Sequence, residues 1–137
     1  MDKQKNLETS SIIDQLKFDD KGLIPCIAQD AENGQVLMMA YMNKESVKKT
    51  IETGIATYYS RSRKKLWVKG ESSGHTQEIK ELWFDCDADC VLIKVKQNVA
   101  ACHVGYRSCF FNRVQDGQVT EIGEKLFSEE KVYGSGS

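Results

Sequence analysis

Residues 85–89 read Asp85-Cys86-Asp87-Ala88-Asp89, three carboxylates and a thiol within five positions. If this segment is extended, alternate side chains face opposite ways, with the three aspartates on one side and Cys86 on the other. Carboxylates this close repel one another unless a cation neutralises them. Oxygen donors suit a hard ion such as Mg²⁺, whereas a thiolate suits Zn²⁺, so one short strand could serve two metals. The D-x-D-x-D spacing also suggests a calcium hand, but the required sixth-position Gly and twelfth-position Glu are Cys90 and Lys96 here. The plain alternative is a solvated acidic turn.

Further along lie Cys102, His103 and Cys109, without the C-x-x-C pairing of a zinc ribbon. Isolated cysteines at 86, 102 and 109 suggest three protein ligands and an open fourth corner, the arrangement of a catalytic zinc. Such a zinc turns its water into a nucleophile near neutral pH. Three thiolates acidify that water less than imidazoles do, so a nearby base is needed, and His103 adjoins a ligand. A closed site with His103 as fourth ligand is the alternative. The remaining two of the five cysteines, Cys26 and Cys90, read as packed small apolar residues.

A third element runs from Tyr58 to His75. Arg61, Arg63, Lys64, Lys65 and Lys69 are followed by Gly70-Glu71-Ser72-Ser73-Gly74-His75. Cations beside exposed backbone N–H groups make a phosphate cradle, and Trp67 could stack on a base. The ordinary readings are a solvated charged face, a core tryptophan and a hydrogen-bonded His75.

These residues need a scaffold. At 137 residues the chain is long enough for one domain with a real core. A net charge of −1 offers no general attraction to nucleic acid or membrane. Val36–Met42, the longest apolar run, is too short to span a bilayer, and the N-terminus lacks a signal-peptide core. A cytoplasmic location follows, where free cysteines serve metals or catalysis better than disulfides.

The first residues, to about Asn6, read as loose. Ser10 or Ser11 is expected to cap a short helix carrying Ile12, Ile13 and Leu16 that ends by Gly22. Residues 23–28 and 35–42 read as a hairpin turning tightly at Asn33-Gly34. Asn43 should cap a helix of about ten residues ending before Gly54, with Met42 and Val47 as a hydrophobic staple. Further strands are expected over residues 55–60, 66–68, 78–84, 91–96, 109–114 and 119–122, with a turn at Asp116-Gly117. The sum is an α+β domain with a mostly antiparallel sheet and one or two short helices, its core over about residues 22–122. The polar tail after Leu126 ends Gly-Ser-Gly-Ser, a frayed end or a cloning remnant.

Five stretches together resemble the phosphoribosyl-AMP cyclohydrolases of histidine biosynthesis. They are residues 36–43 (VLMMAYMN), 59–63 (YSRSR), 66–75 (LWVKGESSGH), 85–89 (DCDAD), and Ala101-Cys102-His103 through Ser108-Cys109-Phe110. The resemblance implies Zn²⁺, one per subunit, on Cys86, Cys102 and Cys109, and Mg²⁺ on Asp85, Asp87 and Asp89. It implies a homodimer in which Cys86 of one chain faces the Cys102/Cys109 pair of the other. It also implies a nucleotide substrate, 1-(5-phosphoribosyl)-AMP, whose adenine ring is opened at N1–C6 by zinc-bound hydroxide. The product is then the phosphoribosylformimino aminoimidazole carboxamide ribotide of L-histidine biosynthesis. His103 is the expected proton shuttle. Arg61, Arg63 and Lys69 are the expected phosphate contacts, with Trp67, Glu71, Ser73 and His75 shaping the nucleotide pocket. Cys26 and Cys90 depart from the small residues usual at those positions. No fused pyrophosphohydrolase domain is expected.

Two rivals are weaker. A base deaminase needs H-x-E and P-C-x-x-C, yet His75 is followed by Thr76-Gln77 and the sole proline is Pro25. A nucleic-acid module with structural zinc conflicts with the near-neutral charge and unpaired cysteines.

Overall fold

The computed structural model describes residues 8–126. The loose start expected to about Asn6 and the polar tail after Leu126 lie outside the described residues. Two helices, α1 (Thr9–Gln15) and α2 (Lys44–Thr53), accompany eight strands: β1 (Ile24–Asp30), β2 (Val36–Met42), β3 (Thr57–Ser60), β4 (Lys65–Val68), β5 (Gln77–Phe84), β6 (Val91–Gln97), β7 (Asn112–Gln115) and β8 (Gln118–Glu121). A four-stranded sheet runs β2-β1-β6-β5, and β3-β4 and β7-β8 form two-stranded ladders. Every ladder is antiparallel except β1-β6, so the α+β, mostly antiparallel expectation holds.

The two central strands of the sheet, β1 and β6, alternate between buried and less buried positions. Ile24, Cys26 and Ala28 of β1 and Val91, Ile93 and Val95 of β6 are buried, and their neighbours are only partly so. Leu37, Met42 and Val47 join this core without exposed surface. Apolar positions at period two put one face of these two strands into a core shared with Ile13, Leu16 and Val47, which is where the burial energy resides.

Helix α2 forms as its ends dictate. The Asn43 side chain accepts from the Ser46 N–H at 2.8 Å, and Ser46 Oγ accepts from the Asn43 N–H at 2.8 Å, closing a capping box. Gly54 ends the helix at φ +76°, a conformation glycine adopts without penalty. Helix α1 differs from expectation: it begins one residue before Ser10, its N-cap is Glu8, and no side chain caps it. Its hold on the protein is instead Ile13 and Leu16, both buried.

The first hairpin is also looser than two residues at Asn33-Gly34. Strand β1 continues to Asp30, whose Oδ1 accepts from the N–H groups of Glu32 and Asn33 at 2.8 and 3.0 Å. An aspartate turn therefore builds the connection, with Gly34 alone at positive φ. Asp116 and Gly117 do form the expected tight turn, both at positive φ. Strand β7 starts at Asn112 instead of Cys109, because the Cys109 N–H donates to the Leu37 carbonyl at 2.7 Å and holds that residue on the edge of β2.

Candidate functional site

The acidic segment is a turn, not a strand. It links β5 to β6, with the Asp85 N–H donating to the Cys90 carbonyl at 3.1 Å and Ala88 at φ +60°. Asp85 Oδ1 accepts from the Asp89 and Cys90 N–H groups at 3.0 and 3.2 Å. The alternating-face argument for residues 85–89 therefore fails: strand parity assigns neither Cys86 nor Cys90 a side here. The turn nonetheless gathers the carboxylates. Asp85, Asp87 and Asp89 offer ligand oxygens all within 4.8 Å of one another, and all three are exposed. Asp87 is held below the usual carboxylate range mainly by a hydrogen bond from Asp89, which is correspondingly raised by Asp87. Crowded carboxylates repel one another, and the oxygen-only donor set fits a hard divalent ion.

The cysteines divide two and one. Cys102 is buried and Cys109 exposed. Their side chains lie close enough to act on each other, and shielding of the Cys109 sulfur, then the proximity of Cys102, pushes the Cys109 thiol up to about 11. Two neighbouring thiols that a soft cation can bind as thiolates fit part of a zinc site. Cys86 is exposed and does not join them within one chain: among the described residues, the only cluster of three potential ligands is the aspartate trio. His103 is exposed and likewise forms no three-ligand cluster with the sulfur pair. Cys26 is fully buried, its thiol raised by burial and then by Cys90, whereas Cys90 is only partly buried.

Backbone bonds hold the loop of the sulfur pair. The Ala101 N–H donates to the Arg107 carbonyl at 2.9 Å, and the Cys102 N–H to that of Tyr106 at 3.2 Å. Ser108 Oγ donates to the Val36 carbonyl at 2.7 Å. The Arg107 guanidinium donates to Asp30 and to Gln35, pinning the loop to the β1-β2 connection. Burial alone would raise the Asp30 carboxyl, but Arg107 and the N–H groups of Asn33 and Glu32 together hold it below its usual range. Behind the loop, buried Tyr58 donates its hydroxyl to Gln77 Oε1 at 2.6 Å, and Gln77 Nε2 donates to Gln97 Oε1 at 2.8 Å. Gln97 Nε2 in turn reaches the carbonyls of His75 and Ala100, each at 3.2 Å. Reading the sequence overlooked these supports. The available signal was Gln97, which continues the inward register of Val91, Ile93 and Val95.

The basic segment folds as the β3-β4 hairpin and the loop after it. A cleft of about 450 Å³ is lined by Ser60, Arg63, Trp67, Val68, Gly70, Glu71, Ser72 and Ser73. Arg63, Trp67, Glu71 and Ser73 therefore come together. Trp67 does two things: it lines the cleft and packs on Tyr58 with ring centroids 5.0 Å apart. Arg61 lies over the Tyr41 ring, 4.2 Å from its centroid. Lys69 turns to the Ala101 carbonyl at 2.8 Å. His75 is buried, and burial followed by the Lys69 charge lowers its pKa. Several loop N–H groups are already engaged: Gly74 donates to the Gly70 carbonyl at 2.8 Å and His75 to Ser73 Oγ at 3.2 Å.

Gly70 closes this loop at φ +80°, and a Cβ there would stand 2.3 Å from the His75 carbonyl carbon. Gly70→Ala is expected to destabilise the protein by about 3 kcal/mol, combining left-handed strain with a backbone clash. Urea unfolding checks this, and an unchanged midpoint would show that the loop does not close so tightly.

The family model described as phosphoribosyl-AMP cyclohydrolase matches residues 38–111. A phosphoribosyl-AMP cyclohydrolase of Pelotomaculum thermopropionicum is 55% identical over 123 residues, covering 89% of this chain and 95% of that protein. One of Methanococcoides burtonii is 57% identical over 121 residues, covering 88% and 98%. A histidine biosynthesis bifunctional protein, HisIE, of Thermoanaerobacter pseudethanolicus is 54% identical over 123 residues, covering 90% of this chain and 57% of its own length.

Proposed function

Since this chain belongs to the phosphoribosyl-AMP cyclohydrolase family of histidine biosynthesis, we propose that it opens the adenine ring of 1-(5-phosphoribosyl)-AMP by hydrolysis of N1–C6 at a metal centre shared by two copies. The observation that carries this reading is the closeness of Cys102 and Cys109, two thiols on a loop whose Ala101 carbonyl is held by Lys69, the residue between Val68 and Gly70 of a cleft of nucleotide size. Cys102 and Cys109 would hold zinc with Cys86 of a second copy. Zinc bound there supplies a solvent nucleophile that works near neutral pH. Asp85, Asp87 and Asp89 would hold magnesium, which neutralises them and helps seat a phosphate or ribose.

The chain's own residues account for the rest. Trp67 presents an indole face to the cleft for the purine, and Arg63 offers a guanidinium fork to a phosphate. Glu71 and Ser73 line the same wall and supply polar contacts to the ribose. Arg61 stands on Tyr41 as a further cation for phosphate. His75, its basicity lowered by burial and by the Lys69 charge, backs the cleft-lining Gly70 with its main chain. His103, exposed beside Cys102, carries the proton. Substitution at N1 leaves the substrate ring cationic, so water adds at C6. Collapse of the tetrahedral adduct breaks N1–C6, turning C6 into a carboxamide and leaving N1 in the formimino group. One water is consumed and no ammonia is released. No described helix is long and apolar enough to cross a membrane, and our reading places the enzyme in the cytoplasm, where thiols stay reduced.

Ultraviolet absorbance during turnover of phosphoribosyl-AMP tests this proposal. Activity is expected to disappear on chelation and return with metal, and Asp87→Asn is expected to need more Mg²⁺ while keeping its zinc. Release of ammonia would instead identify a deaminase, and equal loss of both metals in Asp87→Asn would break the separation into two sites.

A further inference from the structure

Lys69 is the cation that the structure removes from the basic segment. It follows β4, its N–H donates to the Ala56 carbonyl at 3.0 Å, and its ammonium donates to the Ala101 carbonyl at 2.8 Å. That carbonyl belongs to the residue before Cys102. Among the described residues the one ion pair joins Arg107 and Asp30, so no carboxylate pairs with Lys69 there. It does not line the cleft that holds Arg63 and Glu71.

A shielded ammonium is costly unless something anionic answers it. The bond to Ala101 puts the ammonium on the loop that carries two thiols able to become anionic, Cys102 in the next position and Cys109. Two thiolates side by side also repel each other, and a fixed positive charge relieves both difficulties at once. We propose that Lys69 is a positioning residue of the metal centre: it ties the Ala101 carbonyl and stands as the counter-charge of the Cys102–Cys109 thiolate pair, instead of holding a substrate phosphate. This assignment rests on the zinc reading above.

Zinc affinity of the metal-free full-length protein, measured by competition with a chromophoric chelator, separates the possibilities. Lys69→Met is expected to bind zinc about 10- to 100-fold more weakly, the usual effect of losing a group that supports the ligands. Lys69→Gln retains a donor for the Ala101 carbonyl but no charge, and is expected to lose about tenfold. Lys69→Arg, which keeps both, should stay within about threefold because a single carbonyl contact does not demand one cation's shape. Circular dichroism confirms folding, and if Lys69→Met does not fold, the Gln and Arg variants carry the comparison. Wild-type zinc affinity in Lys69→Met and Lys69→Gln, with Cys102→Ala unable to compete, would overturn the role of Lys69 and leave the zinc site standing. A raised KM with unchanged zinc affinity would return Lys69 to the phosphate. Normal zinc binding by Cys102→Ala would instead remove the zinc site itself.

Discussion

Cys102→Ala is expected to lose its zinc and to turn over substrate about a thousandfold more slowly or worse, on the order of 4 kcal/mol of barrier. Cys102 lies close to Cys109, so its removal leaves Cys109 without the neighbour that makes a soft, bidentate grip. The loop itself should survive, since its backbone bonds and the Arg107 anchor do not involve the sulfur. Zinc content by atomic absorption and the ultraviolet assay check the two halves independently. Cys90→Ala is the matched control, expected to keep both metal and rate. A Cys102→Ala protein with normal zinc and normal rate would remove the sulfur pair from the chemistry.

Mixing two inactive variants is expected to restore activity. One chain brings Cys102 and Cys109 together but leaves Cys86 outside any three-ligand cluster. If a second copy supplies the missing sulfur, a mixed dimer of Cys86→Ala and Cys102→Ala chains holds one site with all three thiols and one with Cys109 alone. Random pairing makes about half the dimers mixed, so refolding the variants together should return about a quarter of wild-type activity. Each variant refolded alone should return almost none. Distinct affinity tags on the two chains show whether mixed dimers form. Mixed dimers without activity would mean that Cys86 acts on its own chain or not at all.

The parts of the fold legible in the sequence are those fixed by neighbours along the chain. Asn43 with Ser46 and Gly54 sets both ends of α2, and Asp116-Gly117 sets the last turn, because caps and tight turns depend on a few adjacent residues. Residues 85–89 misled because no glycine or proline announces the turn: Asp85 builds it with one side-chain oxygen, and Ala88 takes the left-handed conformation. Cys109–Phe111 read as strand by composition, but a hydrogen bond to Leu37, seventy-two positions earlier, decides its backbone. Lys69 was counted with its neighbours in a charge run, whereas its partner is Ala101. The grouping of three aspartates survived an incorrect reason, since residues so near in sequence meet in a turn as readily as along one face of a strand. Convergence of three sulfurs was expected on chemistry alone, and within one chain Cys86 does not join Cys102 and Cys109 in a three-ligand cluster.

The chain of donors from Tyr58 through Gln77 to Gln97 has a mechanical meaning. Each amide is oriented by the one before it, and the last one grips the segments of His75 and Ala100 with a single nitrogen. The wall of the cleft and the approach to the sulfur pair are thus riveted to one point in the protein's interior. A displacement of one is transmitted to the other through that shared anchor.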